Sequence, residues 1–187
     1  MDLNITSLLK ILFESLFIGL AILLPIASLI RTSNLKFLQA KDLFILQGVQ
    51  TLRIAGIFYA MLSLQDVYVV YFKAAQVGAG IGITFPVSYQ LFLFYPPAMY
   101  LIFTQLFWIK KLYMKKAALI ALCIILLIFP TKNFIAIVTA LTGDNPSAAL
   151  SIYKANFFAR VGLSLVISFF TAFALMVLSG KLKKVVE

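Results

Sequence analysis

Histidine is absent from these 187 residues, cysteine and tryptophan each occur once, and only six residues are acidic. Without imidazole, the commonest general base and the commonest metal and haem ligand are both missing. Ser-His chemistry is therefore excluded. The lone Cys123 can form neither an internal disulfide nor a multi-thiolate cluster. In the run Ala121-Leu122-Cys123-Ile124-Ile125 it reads as a small buried hydrophobe. The six carboxylates, Asp2, Glu14, Asp42, Asp66, Asp144 and Glu187, are scattered. Asp144 falls in Thr142-Gly143-Asp144-Asn145-Pro146, which reads as a turn. Intramembrane catalysis needs an activated nucleophile, a paired carboxylate set or a metal. No catalytic residue, cofactor or metal is expected, and the chain reads as non-enzymatic.

Charge of either sign is sparse too, at 12% of residues against about 25% in soluble proteins. Hydrophobic residues make up 63%, and the mean hydropathy is +1.06. These values describe one all-α, polytopic membrane domain over 1–187. The formal charge of +10 comes from sixteen Lys and Arg. No basic run in a polar segment is interleaved with aromatics, so nucleic acid is not an expected partner.

Apolar stretches of spanning length predict about five transmembrane helices near 11–30, 43–72, 83–109, 117–141 and 157–180. The connections are short, so successive helices should pack antiparallel. Basic residues cluster in alternate connections. Arg31, Lys36 and Lys41 lie in the first, Lys110, Lys111, Lys115 and Lys116 in the third, and Lys181, Lys183 and Lys184 in the tail. Cytoplasmic loops are enriched in Lys and Arg, which predicts an N-terminus outside and a C-terminus in the cytoplasm. The start, Met1-Asp2-Leu3-Asn4-Ile5-Thr6, lacks the basic segment of a signal peptide, and the first helix is expected to be permanent. Lys10 and Glu14, four residues apart, can pair on its face.

Prolines predict irregularity in two helices. Pro86 and Pro96-Pro97 should kink or break the third, and Pro130-Thr131-Lys132-Asn133 the fourth. Broken helices bind solutes in transporters, but a kink healed by neighbouring helices is the commoner case. Gly78, Gly80 and Gly82 read as turn residues. Tyr68, Tyr71, Trp108 and Tyr113 fall near expected membrane interfaces, where amphipathic rings settle.

The long stretch 43–72 contains Arg53 and Asp66, and charges inside a membrane mark a pathway, a partner or a deep contact. Asp66, Lys132 and Arg160 are expected in the outer half and form a candidate polar network. Arg53 enters from the inner side with no obvious anion at its depth. With Gln50 and Gln47 it forms a candidate partner contact, completed by another protein or an anionic headgroup. The alternative is that Arg53 snorkels. Ser164, Ser168 and Ala172, at intervals of four, form a candidate helix-packing face, with Gly56 and Ala60 a smaller one.

The expected function is a non-catalytic accessory or scaffold subunit of a larger complex in the bacterial inner membrane, serving transport, ion-driven or respiratory machinery. Its expected partners are other integral membrane proteins and phospholipids, in a hetero-oligomer. The alternative is a small oligomeric transporter or channel using broken helices and intramembrane charges.

Overall fold

A computed structural model describes residues 5–68, 87–128 and 157–180. Six helices, and no strand, lie among the described residues. They are α1 (Ile5–Leu29), α2 (Leu35–Tyr68), α3 (Val87–Leu106), α4 (Lys110–Met114), α5 (Lys116–Ile128) and α6 (Phe157–Leu178). Three segments are long and apolar enough to cross a membrane: Ile5–Leu29, Leu35–Gln65 and Ala159–Leu178. Of the expected features, the break at Pro130, Lys132, and the connections 73–82 and 142–156 lie outside the described residues.

The largest departure from expectation is the start of α2, at Leu35 rather than Leu43. Hydropathy marks where the solvent changes, not where a helix starts. Here the start is set by Asn34, whose Oδ1 accepts from the amide of Lys36 at 3.0 Å, while the Asn34 amide donates to Thr32 Oγ1 at 3.2 Å. A side-chain oxygen that accepts from the second helical amide is a helix N-cap. Across the turn, Lys41 Nζ donates to the Ile30 carbonyl at 3.3 Å, satisfying one of the acceptors left at the end of α1. Thus α2 has 34 residues and is about 51 Å long at 1.5 Å per residue. It exceeds a hydrocarbon core of about 30 Å.

Helix α1 is the hub, packed against α2, α5 and α6. Cross-contacts give the directions. Phe13 faces Phe58, and Leu24 lies beside Gly48, so α1 and α2 are antiparallel. Tyr59 meets Tyr100 and Gly56 meets Thr104, so α2 and α3 are antiparallel as well. Glu14 meets Arg160, and Gly19 lies against Ser164 and Ser168, which sets α6 running in the same direction as α1. The core they enclose includes Phe17, Leu20, Leu24, Val49, Leu52, Phe107 and Cys123.

Of the kink or break expected at Pro96-Pro97, the break is not found: α3 is helical through both prolines. Each proline removes only its own amide from the ladder, and a packed helix tolerates that. The helix instead ends ten residues later. There Phe107, Trp108 and Ile109 donate to the carbonyls of Thr104, Gln105 and Leu106, three residues back, at 3.3, 3.0 and 3.1 Å. Such tightened bonds close a final helical turn.

Candidate functional site

Two clusters of polar contacts tie the helices together, and each centres on a charge. The first is Glu14, on α1. Its Oε1 accepts from Tyr59 OH on α2 at 3.0 Å, and its Oε2 pairs with Arg160 Nη2 on α6 at 2.8 Å. Three helices therefore meet on one carboxylate. Beneath it Phe17 stacks on Tyr100 with centroids 4.3 Å apart, and Tyr59 meets the edges of both rings at 5.6 and 5.3 Å. Aromatic pairs in stacked or edge geometry add to what burial alone supplies.

The sequence groups Arg160 with Asp66 and Lys132. The structure gives it Glu14, which lies at a similar depth on a different helix. Lys132 and the Asp66 side chain lie outside the described residues. Alternating spans already give the first and last helices one direction; their side-by-side packing, which spacing along the chain does not reveal, brings Glu14 to Arg160.

The second cluster centres on Arg53. Its Nε donates to the Phe107 carbonyl at 2.9 Å, and Nη2 donates to the same oxygen. The guanidinium lies 4.9 Å from the centre of the Trp108 ring and 5.2 Å from that of Tyr113. In return, Gln105 Nε2 reaches the Arg53 carbonyl at 3.5 Å, the outer limit of a hydrogen bond. A cation at a helix C-terminus complements both the free carbonyls and the dipole, and the π faces beside it add cation–π attraction. Arg53 thus has a partner within its own chain, a neutral carbonyl rather than a carboxylate. Gln47 and Gln50 are half-buried on the same helix. Trp108 and Tyr113, expected as interface anchors, are the walls of this site.

Around these charges the hydroxyls look after themselves. Thr51, Ser63, Thr104, Ser164 and Thr171 each donate to the carbonyl four residues back, at 2.7–2.9 Å. Such back-bonds let a hydroxyl sit inside an apolar bundle without an unmet donor. Ser168 is different and reaches across from α6 to the α1 carbonyls of Ser15 and Leu16 at 3.3 and 3.4 Å. Ser164, Ser168 and Ala172 are all fully buried. The close approach depends on Gly19 of α1, where a Cβ would collide with the Ser164 carbonyl and the Ser168 side chain. Gly56 admits Thr104 of α3 in the same way. Gly19 belongs to neither expected packing face, though a glycine inside a strongly apolar helix is itself a sign of close backbone approach.

Comparison with protein families, with characterised proteins and with solved structures found no match. The geometry alone carries the functional reading. Among the described residues no group of three or more His, Cys, Asp or Glu could hold a metal. Cys123 is fully buried. What the two charged clusters do in common is join helices: α1, α2 and α6 at Glu14, α2 and α3 at Arg53.

Proposed function

We propose that this chain is a non-catalytic, multi-pass accessory or scaffold subunit of a larger membrane complex. The observation that carries the reading is that the polar groups inside the described bundle are engaged with one another. Among the described residues no buried side-chain nitrogen or oxygen lacks a hydrogen-bond partner. Polar contacts of this kind hold helices in register. The outward faces are apolar and aromatic, as on α6 at Val166, Phe169, Phe170 and Phe173, and suit lipid or the helices of a neighbouring subunit. The proposed placement is a bacterial inner membrane, with five spans, the N-terminus outside and the basic connections in the cytoplasm.

One observation favours a second reading, a small oligomeric transporter or channel. Helix α3 ends at Arg53, partway along the much longer α2, and helix ends inside a bundle are where transporters hold ions and solutes. Gentle detergent extraction with a tag on the cytoplasmic tail separates the two. Stoichiometric co-purification of other membrane proteins is the expected result, and a monodisperse species containing this chain alone refutes the subunit reading. Solute flux through vesicles containing only this chain, abolished by Glu14→Gln or Asp66→Asn, would establish the transporter.

A further inference from the structure

We propose that the segment Trp108–Lys116, beside Arg53, binds the phosphate headgroup of an anionic phospholipid in the inner leaflet. Four of its nine residues are lysines, 110, 111, 115 and 116, and all four are exposed. Among the described residues none of the four is paired with a carboxylate. The sequence offers none nearby, because positions 67–143 contain no Asp or Glu. Next to each lysine pair stand large apolar side chains turned outward, Trp108 59% exposed and Ile109 49% before the first and Met114 66% before the second. Lysines beside an exposed indole and thioether match an interface with charged headgroups on one side and acyl chains on the other. Arg53 sits behind this surface with two of its five N–H groups engaged by Phe107.

The depth of the segment sharpens the inference. Arg53 lies eighteen residues beyond the start of α2, or about 27 Å along its axis. Trp108 and Tyr113 touch Arg53, so the segment is set well back from the α1–α2 turn. The part of α1 beside that stretch, Leu20-Ala21-Ile22-Leu23-Leu24, is apolar and belongs in hydrocarbon. Ammonium groups at this level must either be paired or draw headgroups inward, and local thinning of the leaflet is how bilayers meet such charges. An anionic lipid supplies both the counter-charge and the thinning.

Trp108 is the only tryptophan, so its fluorescence reports this site alone. The full chain is reconstituted in phosphatidylcholine vesicles containing, at equal mole fraction, either brominated phosphatidylglycerol or brominated phosphatidylcholine. The expected result is several-fold stronger quenching by the brominated phosphatidylglycerol. The preference should disappear in K110Q/K111Q/K115Q/K116Q and persist in R31Q/K36Q, whose charges sit at the distant α1–α2 turn. Protection of Cys123 from maleimide verifies that each variant is folded, and K110Q/K111Q replaces the fourfold variant if it is not. Equal quenching of the wild-type chain by the two lipids overturns the proposal, as does a preference that survives loss of the lysines. Relief of the quenching by millimolar inorganic phosphate would show a site for free anions and overturn the lipid assignment.

Discussion

Replacing Gly19 with alanine tests whether the close approach of α1 and α6 holds the bundle together. The new Cβ would lie 2.6 Å from Ser168 Cβ and nearer still to the Ser164 carbonyl oxygen and Ser168 Oγ. Carbon atoms rest at about 3.5–4.0 Å, so the helices must separate by roughly 1 Å. The serine side chain can rotate away, but the Ser164 carbonyl is backbone and moves only with α6. That separation stretches the Ser168 bonds, now 3.3 and 3.4 Å, beyond hydrogen-bonding range. Overpacking costs about 1–3 kcal/mol, and an interhelical hydrogen bond in a membrane protein contributes about 0.6 kcal/mol. The better helix propensity of alanine returns about 1 kcal/mol, leaving a net loss of about 1–3 kcal/mol. Gly162, on the same helix pair, is the control. A Cβ there meets nothing within 4 Å, so Gly162→Ala keeps only the propensity gain. The two substitutions should therefore act in opposite directions. Cys123, fully buried on α5, provides the assay, because maleimide reaches it only when the bundle opens. At the stated cost, its modification in mild detergent should accelerate about 5- to 150-fold in Gly19→Ala and slow or stay unchanged in Gly162→Ala. Adding Ser168→Ala to Gly19→Ala should recover only part of the loss, since the carbonyl clash remains. An unchanged rate in Gly19→Ala, or an equal acceleration in both alanine variants, refutes the reasoning.

Arg53→Met leaves the Phe107 carbonyl without its donor and should destabilise by about 1–3 kcal/mol. Arg53→Lys should fall between it and the wild type, because an ammonium keeps the charge but loses the planar fork and the stacking, and maleimide kinetics at Cys123 rank the three. For the Glu14–Arg160 pair, a cycle of Glu14→Gln, Arg160→Gln and the double variant should show a coupling of about 0.5–1 kcal/mol, since Arg160 is 43% exposed and solvent weakens the attraction. Additive losses would mean that the two residues act separately. Tyr59→Phe removes one donor from Glu14 while keeping the ring packing, so its cost should be about 1 kcal/mol and should shrink when Glu14 is already glutamine. Asn34→Ala should lower stability by about 1 kcal/mol and fray the start of α2, measurable as faster amide exchange over 35–38.

Composition and hydropathy were enough to read an all-helical membrane protein, because those properties report solvent, and three helices meet the requirement for spanning. The start of α2 was not legible, since Asn34 and Lys41 act through single hydrogen bonds that no apolar average registers. Pro96-Pro97 shows the limit of a local rule in the opposite sense. The local rule predicts a kink or a break, and no break occurs where α3 packs on α2 and α5. The spacing of Ser164, Ser168 and Ala172 marked a face, but its counterpart, Gly19, sits some 145 residues earlier. Likewise no carboxylate in the sequence marks the partner of Arg53, because that partner is a main-chain carbonyl, which every residue possesses.

That carbonyl lies 54 residues downstream of Arg53, which orders events during synthesis. At about 5–20 residues per second the ribosome needs roughly 3–11 s to deliver Phe107 after Arg53. An unpaired arginine within a transmembrane helix is costly to insert, so α2 must wait at the insertion machinery or enter with its charge unmet. Glu14 waits longer, 146 residues for Arg160, although Tyr59 reaches it after 45. Each charge therefore keeps an early helix provisional until a late one arrives. A nascent chain arrested before residue 107 should be extractable from the membrane more readily than one arrested beyond it.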